Sequence, residues 1–328
     1  MNEKSFRQFL QTRNLSEDEI EQHISLAEKF EGFLRDSSRV PTVEDARAFV
    51  SLLVREKADT LNNLVALARY GWFRKYSEVY LAALELIDGG EVMDNLYEKL
   101  GQTVGEQKRD EIFEGIERPT WGTPNTEKPR LMQAVMERLE RLLDAETCKG
   151  ILSGSLRDLA DESYLEDRRR YAECGSFDEF LEMKRQEFIA QLEQIKDEKG
   201  LFFNQEITAE VIAFVRDNPE ISQGVRRGNV LYVTKIPYMT KEYLAETDED
   251  KKRYYYCHCP WARESLMSSE VHVPATFCQC SAGFHKKPWE VIFGQPLEVD
   301  VLESVLKGDG RCRFAIHLPA DRLGDEKA

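Results

Sequence analysis

The chain has 328 residues, 41% hydrophobic and 10% aromatic, enough apolar material to build packed cores and to exclude wholesale disorder. Sixty Asp and Glu against 45 Lys and Arg give a formal net charge of −15, which disfavours non-specific attraction to nucleic acid or an anionic membrane surface. No apolar run reaches the roughly 18–20 residues of a membrane span, and the opening MNEKSFRQFL lacks the apolar centre of a signal peptide. A cytoplasmic protein without membrane contact is expected. Its length exceeds what one core usually fills, so more than one domain is expected.

In chain order, the first part reads as helices. Ser16-Glu17-Asp18-Glu19 has the form of a capping box, in which Ser16 accepts a backbone N–H and Glu19 reaches back. Ile20, Ile24, Ala27, Phe30 and Leu34 then recur at steps of three and four, the apolar stripe of an amphipathic helix. Thr42-Val43-Glu44-Asp45 is a second start signal, and a third helix begins near Thr60, with Gly71 as its possible break. A fourth runs from about Ser77 to Ile87 and stops at Asp88-Gly89-Gly90.

Arg118 to Asn125, with two prolines and a glycine, reads as a boundary loop. Beyond it Met132, Val135, Met136, Leu139, Leu142 and Leu143 form another helical stripe, and a long charged helix follows Ser176 and ends near Gly200. The pattern then changes. Asn229 to Ile236 is rich in strand formers, and Arg253 to Cys257 reads as its partner. Leu297–Leu306 and Arg311–Leu318 flank Lys307-Gly308-Asp309-Gly310 as a hairpin, with Cys312, Phe314, Ile316 and Leu318 on one face. Ala262–Met267 and Ala282–Phe293 read as helices between the hairpins. The expected class is α+β: a helical region over 1–117, a helical connection over 126–200, and a small antiparallel sheet covered by helices over 201–328.

The segment from about Phe6 to Ile87 resembles the helical, SAM-like core-binding module of phage-type tyrosine recombinases. The resemblance rests on Phe9-Leu10, the Leu15–Phe33 helix, Thr42-x-x-Asp45 and Thr60–Phe73. No catalytic half with a His-x-x-Arg pair and a nucleophilic Tyr follows. Residues 1–88 hold 12 basic against 15 acidic residues, whereas phosphate-binding modules usually present a basic face. One patch, Arg69 to Tyr76, interleaves aromatics with cations. It reads better as a buried aromatic helix with solvated Arg and Lys ends than as a nucleic-acid contact. A DNA-associated regulator is therefore the least favoured function.

Five of the seven cysteines crowd into the last quarter: Cys257, Cys259, Cys278, Cys280 and Cys312. Without an export signal, clustered thiols point to metal or redox chemistry before a disulfide framework. Two Cys-x-Cys pairs could each deliver two sulfurs to a tetrahedral zinc, although a regular strand would hold the two sulfurs of each pair roughly 6–7 Å apart. The expected metal set is these five cysteines with Zn. Reduced structural thiols and a redox pair are the competing readings, and His258 and His285 are spare ligands.

The stretch from about Val230 to Pro319 resembles the 4-vinyl-reductase-like ligand-binding domains, whose relatives include sensors of aromatic-catabolism regulators and the family named for 2-amino-thiazoline-4-carboxylate hydrolase. The motifs are Cys259-Pro260-Trp261, Cys280-Ser281-Ala282-Gly283 and Gly308-Asp309-Gly310-Arg311-Cys312-Arg313-Phe314. The resemblance implies a fold enclosing a small organic ligand. It also implies, for the sensors, a zinc held by cysteines near Cys280 and Cys312 with a glutamate and a third cysteine before the Gly-Asp. Here Val301 and Ser304 stand at those last two places, so two ligands are missing unless Cys257, Cys259 and Cys278 replace them.

The expected function is therefore a small-molecule-binding, sensor-like protein with a zinc-stabilised carboxy-terminal domain. Tyr256, Trp261, Phe284 and Trp289 are its candidate pocket walls. The helical region would serve as an arm for a protein partner or a second copy. The alternative is a hydrolase of a small cyclic amide-like or thiazoline-like substrate, with Cys259 as nucleophile. Asp309 and Arg311 read as turn residues.

Overall fold

The computed structural model describes residues 2–34 and 39–323; the expected domain ends at 1 and 328 lie outside them. The chain divides into two units, Met1–Gly90 with Glu117–Lys128, and Glu91–Ile116 with Pro129–Ala328.

The first unit is built from α1 (Glu3–Gln11), α2 (Glu17–Phe33), α3 (Val43–Arg55), α4 (Leu61–Arg74) and α5 (Ser77–Ile87). Of the three capping-box forms in the sequence, at Ser16, Thr42 and Ser176, the first two close; at Ser176 the hydroxyl accepts the Glu179 N–H at 3.2 Å, but the Glu179 carboxylate takes the Gly175 N–H instead. Ser16 Oγ accepts the Glu19 N–H at 3.3 Å while the Glu19 carboxylate accepts the Ser16 N–H at 2.8 Å. Thr42 and Asp45 repeat the arrangement, and Arg39 grips the Asp45 carboxylate through two hydrogen bonds of 2.6 and 2.7 Å. That guanidinium, with the backbone N–H of Thr42, holds the Asp45 carboxyl well below the usual range. Helix α4 does not break at Gly71. A Cβ there would stand 2.8 Å from the backbone N of Tyr80, so the missing side chain lets α4 and α5 cross closely.

Phe6, Phe30, Phe49 and Tyr70 fill the core of this unit. The aromatic-cation patch is largely engaged internally: Tyr70 is fully buried, Arg74 reaches Glu31 at 2.9 Å, and Arg69 meets His23 Nε2 at 3.0 Å. The stretch expected to divide domains instead closes this unit. The Gly122 N–H donates to Asp59 Oδ2 at 2.9 Å, and Trp121 packs against the helical core.

The second unit begins with α6 (Val92–Val104) and α7 (Glu106–Phe113), then α8 (Lys128–Leu142), α9 (Ala145–Leu152), α10 (Leu165–Glu173) and α11 (Phe177–Asp197). Helices α6 and α7, expected with the first domain, belong here because Met93, Leu96 and Ile112 bury against Met132, Met136 and Leu139 of α8. There follow β1 (Leu201–Phe202), β2 (Gln205–Glu206), α12 (Ala209–Asp217), β3 (Val225–Arg227), β4 (Val230–Thr234), α13 (Thr240–Ala245), α14 (Glu249–Tyr256), α15 (Gln279–Phe293), β5 (Val299–Glu303) and β6 (Arg313–His317).

The main sheet has the order β3-β4-β6-β5, every pair antiparallel. Leu231, Val233, Phe314, Ile316 and Val299 of the sheet share a core with Ala282, Trp289, Ile292 and Phe293 of α15. The α+β expectation holds, and the late hairpin forms as β5–β6 with Gly308 at φ +90°. One element differs. Arg253–Cys257 is not a strand: Asp248 accepts the N–H groups of Asp250 and Lys251 at 3.0 Å and starts α14 there, so β4 pairs with β3 across Gly228 instead. Arg263–Met267 is a 3-10 turn. No helix among the described residues is long and apolar enough to cross a membrane.

The two helical glycines of the first unit should respond oppositely. Gly71→Ala forces a methyl onto backbone and should cost about 1–3 kcal/mol. Gly32→Ala meets nothing within 4 Å and should add about 0.5–1 kcal/mol. Urea unfolding of both variants checks this, and a neutral Gly71→Ala contradicts the close crossing.

Candidate functional site

The cysteine-bearing segments meet where β4 ends, β6 begins and the first turn of α15 lies over the sheet. Along β4, Leu231 and Val233 point into the core, and the same alternation puts Lys235 on that face. Its backbone is stitched in place from two sides. The Lys235 N–H donates to the Cys312 carbonyl at 3.1 Å, and the Tyr256 hydroxyl donates to the Lys235 carbonyl. One residue on, the Ile236 carbonyl accepts from His258 Nε2 at 2.7 Å, which fixes that ring nitrogen as the protonated one. Lys235 Nζ then reaches Ser281 Oγ of α15 at 3.1 Å.

Thiols and imidazoles surround this half-buried ammonium, which acts electrostatically on Cys257, Cys278, Cys280, Cys312, His258 and His285. Cys257, Cys278 and Cys312 are mutual neighbours, each disfavouring ionisation of another. Ser304 Oγ donates to Cys278 Sγ at 2.9 Å, and Ser304 is itself set by its N–H bond to Asp309 Oδ2 at 2.8 Å. Asp309 is thus a turn residue, as is Arg311, which pairs with Glu303 at 2.8 Å. Cys280 lies apart from the triangle. It joins the cluster of α6, α8 and α9 and senses Arg157 and Glu91, because two residues of helix turn a side chain through about 200°. Cys259 lies between, touching both core clusters.

The electrostatics run one way. Burial pushes every one of these thiols up: Cys280 and Cys312 to about 11, Cys259 and Cys278 well above their ordinary value. Burial pushes His285 down to about 3 and His258 well below 6.5. At neutral pH the site therefore holds protonated thiols and neutral imidazoles.

Zinc is the cation such donors would suit by type. Among the described residues, however, no three Cys, His, Asp or Glu side chains are grouped to hold a metal ion, and the seven cysteines are free thiols. The five-cysteine set thus shares a region without converging on one point. His258, the sequence neighbour of Cys259, donates from Nε2 to the Ile236 carbonyl, which leaves Nδ1 as its basic nitrogen.

The four expected pocket walls do not share one cluster: Tyr256 and Trp289 lie in the sheet core and Trp261 in the α6–α8 cluster. Tyr256 is a buried anchor for the Lys235 backbone. Trp289 packs on Phe177 and Phe180, Trp261 belongs to the α6–α8 cluster, and Phe284 lies under Arg157 at 5.7 Å. Sequence reasoning missed Lys235, Ser281 and Ser304. The available signal for the first was a lysine at the core-facing beat of Leu231-x-Val233-x-Lys235.

A family model described as a family of unknown function (DUF6144) matches residues 241–322. That segment spans the five cysteines, Ser281 and His285 but starts after Lys235. No curated protein and no solved structure matches the chain.

Two measurements follow from this chemistry. Above pH 6.5, His258 and His285 are neutral in the folded and unfolded chain alike. As pH falls below 6.5, the unfolded chain takes up protons that burial denies the folded one, so stability drops by up to about 1.4 kcal/mol per pH unit per histidine. For His285 the loss continues down to about pH 3. Urea unfolding at pH 7 and pH 5 should show the drop, smaller in His285→Asn; an equal drop contradicts a neutral buried His285. Separately, the buried thiols should resist iodoacetamide at pH 7 in native protein and react on unfolding, read by intact mass. Rapid native alkylation of Cys278 or Cys312 contradicts their burial as thiols.

Proposed function

We propose that the second unit is a small-molecule-binding, sensor-like domain whose ligand sits among Lys235, Ser281, His285 and the thiols of Cys257, Cys278 and Cys312. One observation carries the reading: the lysine that directly follows β4 turns under α15 to Ser281, and among the described residues no carboxylate forms an ion pair with it. An apolar side chain would serve packing better there, because a half-buried charge without a partner costs stability. Such local costs gather where function requires them. The motifs shared with the vinyl-reductase-like domains point the same way.

Binding without turnover is the favoured form of this reading. Hydrolysis through Cys259 would need a thiolate, and burial keeps that thiol protonated. Zinc on the same thiols would need several of them to re-aim and to lose their protons. The helical first unit serves as an interaction arm in this proposal, with the exposed Trp72 beside Tyr80 as its contact.

Thermal unfolding of the full chain against a diverse set of soluble small molecules, with mass detection of products and elemental analysis, tests the reading. At least one compound should raise the transition in a concentration-dependent way, as mass action requires, and be recovered unchanged without stoichiometric zinc. Consumption of the compound would assign a hydrolase instead. One zinc per chain, lost in Cys278→Ser, would assign the thiols to metal.

A further inference from the structure

Three groups at this site hold hydrogen-bond capacity that the protein leaves unused. Lys235 Nζ has three protons, of which one goes to Ser281 Oγ. The Ser281 hydroxyl, accepting that proton, has no acceptor of its own among the described residues. His285 Nε2 is buried and without a hydrogen-bond partner among the described residues. Ser281 and His285 stand one turn apart on α15, hence on one face. His285 is held by stacking on Phe314 of β6, with ring centroids 5.0 Å apart.

The other cations of the region differ. Arg263 lies over Tyr238 and Tyr254 and beside Glu264. Arg157 pairs with Glu91 at 3.0 Å, and Arg313 pairs with Glu220 at 2.6 Å. Among the described residues, Lys235 alone of these four has no carboxylate partner. Arg263 and Asp309, which also act on His258 and Cys312, are engaged with Glu264 and the Ser304 N–H, so among the described residues Lys235 leaves one unpaired positive charge and a surplus of donors. A ligand that answers both is rich in acceptors and carries one negative charge. A phosphate dianion would leave one charge uncompensated in a poorly solvated place.

We infer that the ligand bears a carboxylate, held by the Lys235 ammonium and the Ser281 hydroxyl with His285 Nε2 as the third polar contact, and that Lys235 sets this selectivity. The inference rests on the small-molecule reading above and adds the chemical class. The rest of the ligand faces Phe314 and the thiols of Cys278 and Cys312, so its body is small and largely apolar.

Calorimetric titration of the full chain with acetate, propionate and benzoate, each against its own primary amide, tests it, with inorganic phosphate as a control. At least one carboxylate should bind about tenfold or more tightly than its amide, the range of a charge-assisted hydrogen bond. Lys235→Met should erase that difference, Lys235→Arg should retain part of it, and Ser281→Ala should reduce it. The wild-type contrast needs no variant, and circular dichroism confirms that each variant is folded. Equal binding of acid and amide overturns the carboxylate inference while leaving the small-molecule reading intact. Preference for phosphate also overturns it. Binding of no compound in either series overturns both.

Discussion

The second unit depends on where the residue that follows β4 sends its side chain. Leu231 and Val233 establish an apolar face beneath α15, and the strand's two-residue period then delivers an ammonium to the same face at Lys235. The surrounding backbone is organised to keep it there. Cys312 on β6 and Tyr256 at the end of α14 both bond the Lys235 main chain, and His258 bonds the next carbonyl. Two segments far apart in sequence, 256–258 and the start of β6, thus converge on one dipeptide.

This arrangement also explains the protonation states. A thiolate or an imidazolium in this interior would lose water and gain little in return, so burial is the leading cause of every shift there. Lys235 lowers the thiols and the imidazoles together, opposing burial at the former and reinforcing it at the latter. The outcome is a set of protonated thiols and neutral imidazoles beside Lys235. Such a set suits recognition of a polar group more than nucleophilic attack, which needs a thiol whose proton leaves easily.

Much of the fold was legible in the sequence, and the exceptions have local causes. Ser16-x-x-Glu19 and Thr42-x-x-Asp45 announced helices that form with the expected caps, because a capping box depends only on residues within one turn. Arg253–Cys257 misled because three consecutive tyrosines favour strands, while the deciding interaction was the Asp248 cap five residues earlier. The Pro- and Gly-bearing stretch at 118–125 looked like a linker, but Asp59 and Trp121 tie it to the first unit. Neither contact can be read from loop composition. The crowding of cysteines was visible in the sequence. Their separation into a triangle and an outlying Cys280 was not, since it follows from the helical pitch of α15 and its register over the sheet.

The central claim is that Lys235, and not a metal ion, is the charge around which the site is organised. A crystal structure of the purified full chain, with anomalous data across the zinc edge, tests it most directly. The account predicts no anomalous peak among the thiols and non-metal ligand density within hydrogen-bond distance of Lys235 Nζ and Ser281 Oγ. A zinc peak with three or more of Cys257, Cys259, Cys278, Cys280 and Cys312 at about 2.3 Å, with Lys235 turned away, would contradict it.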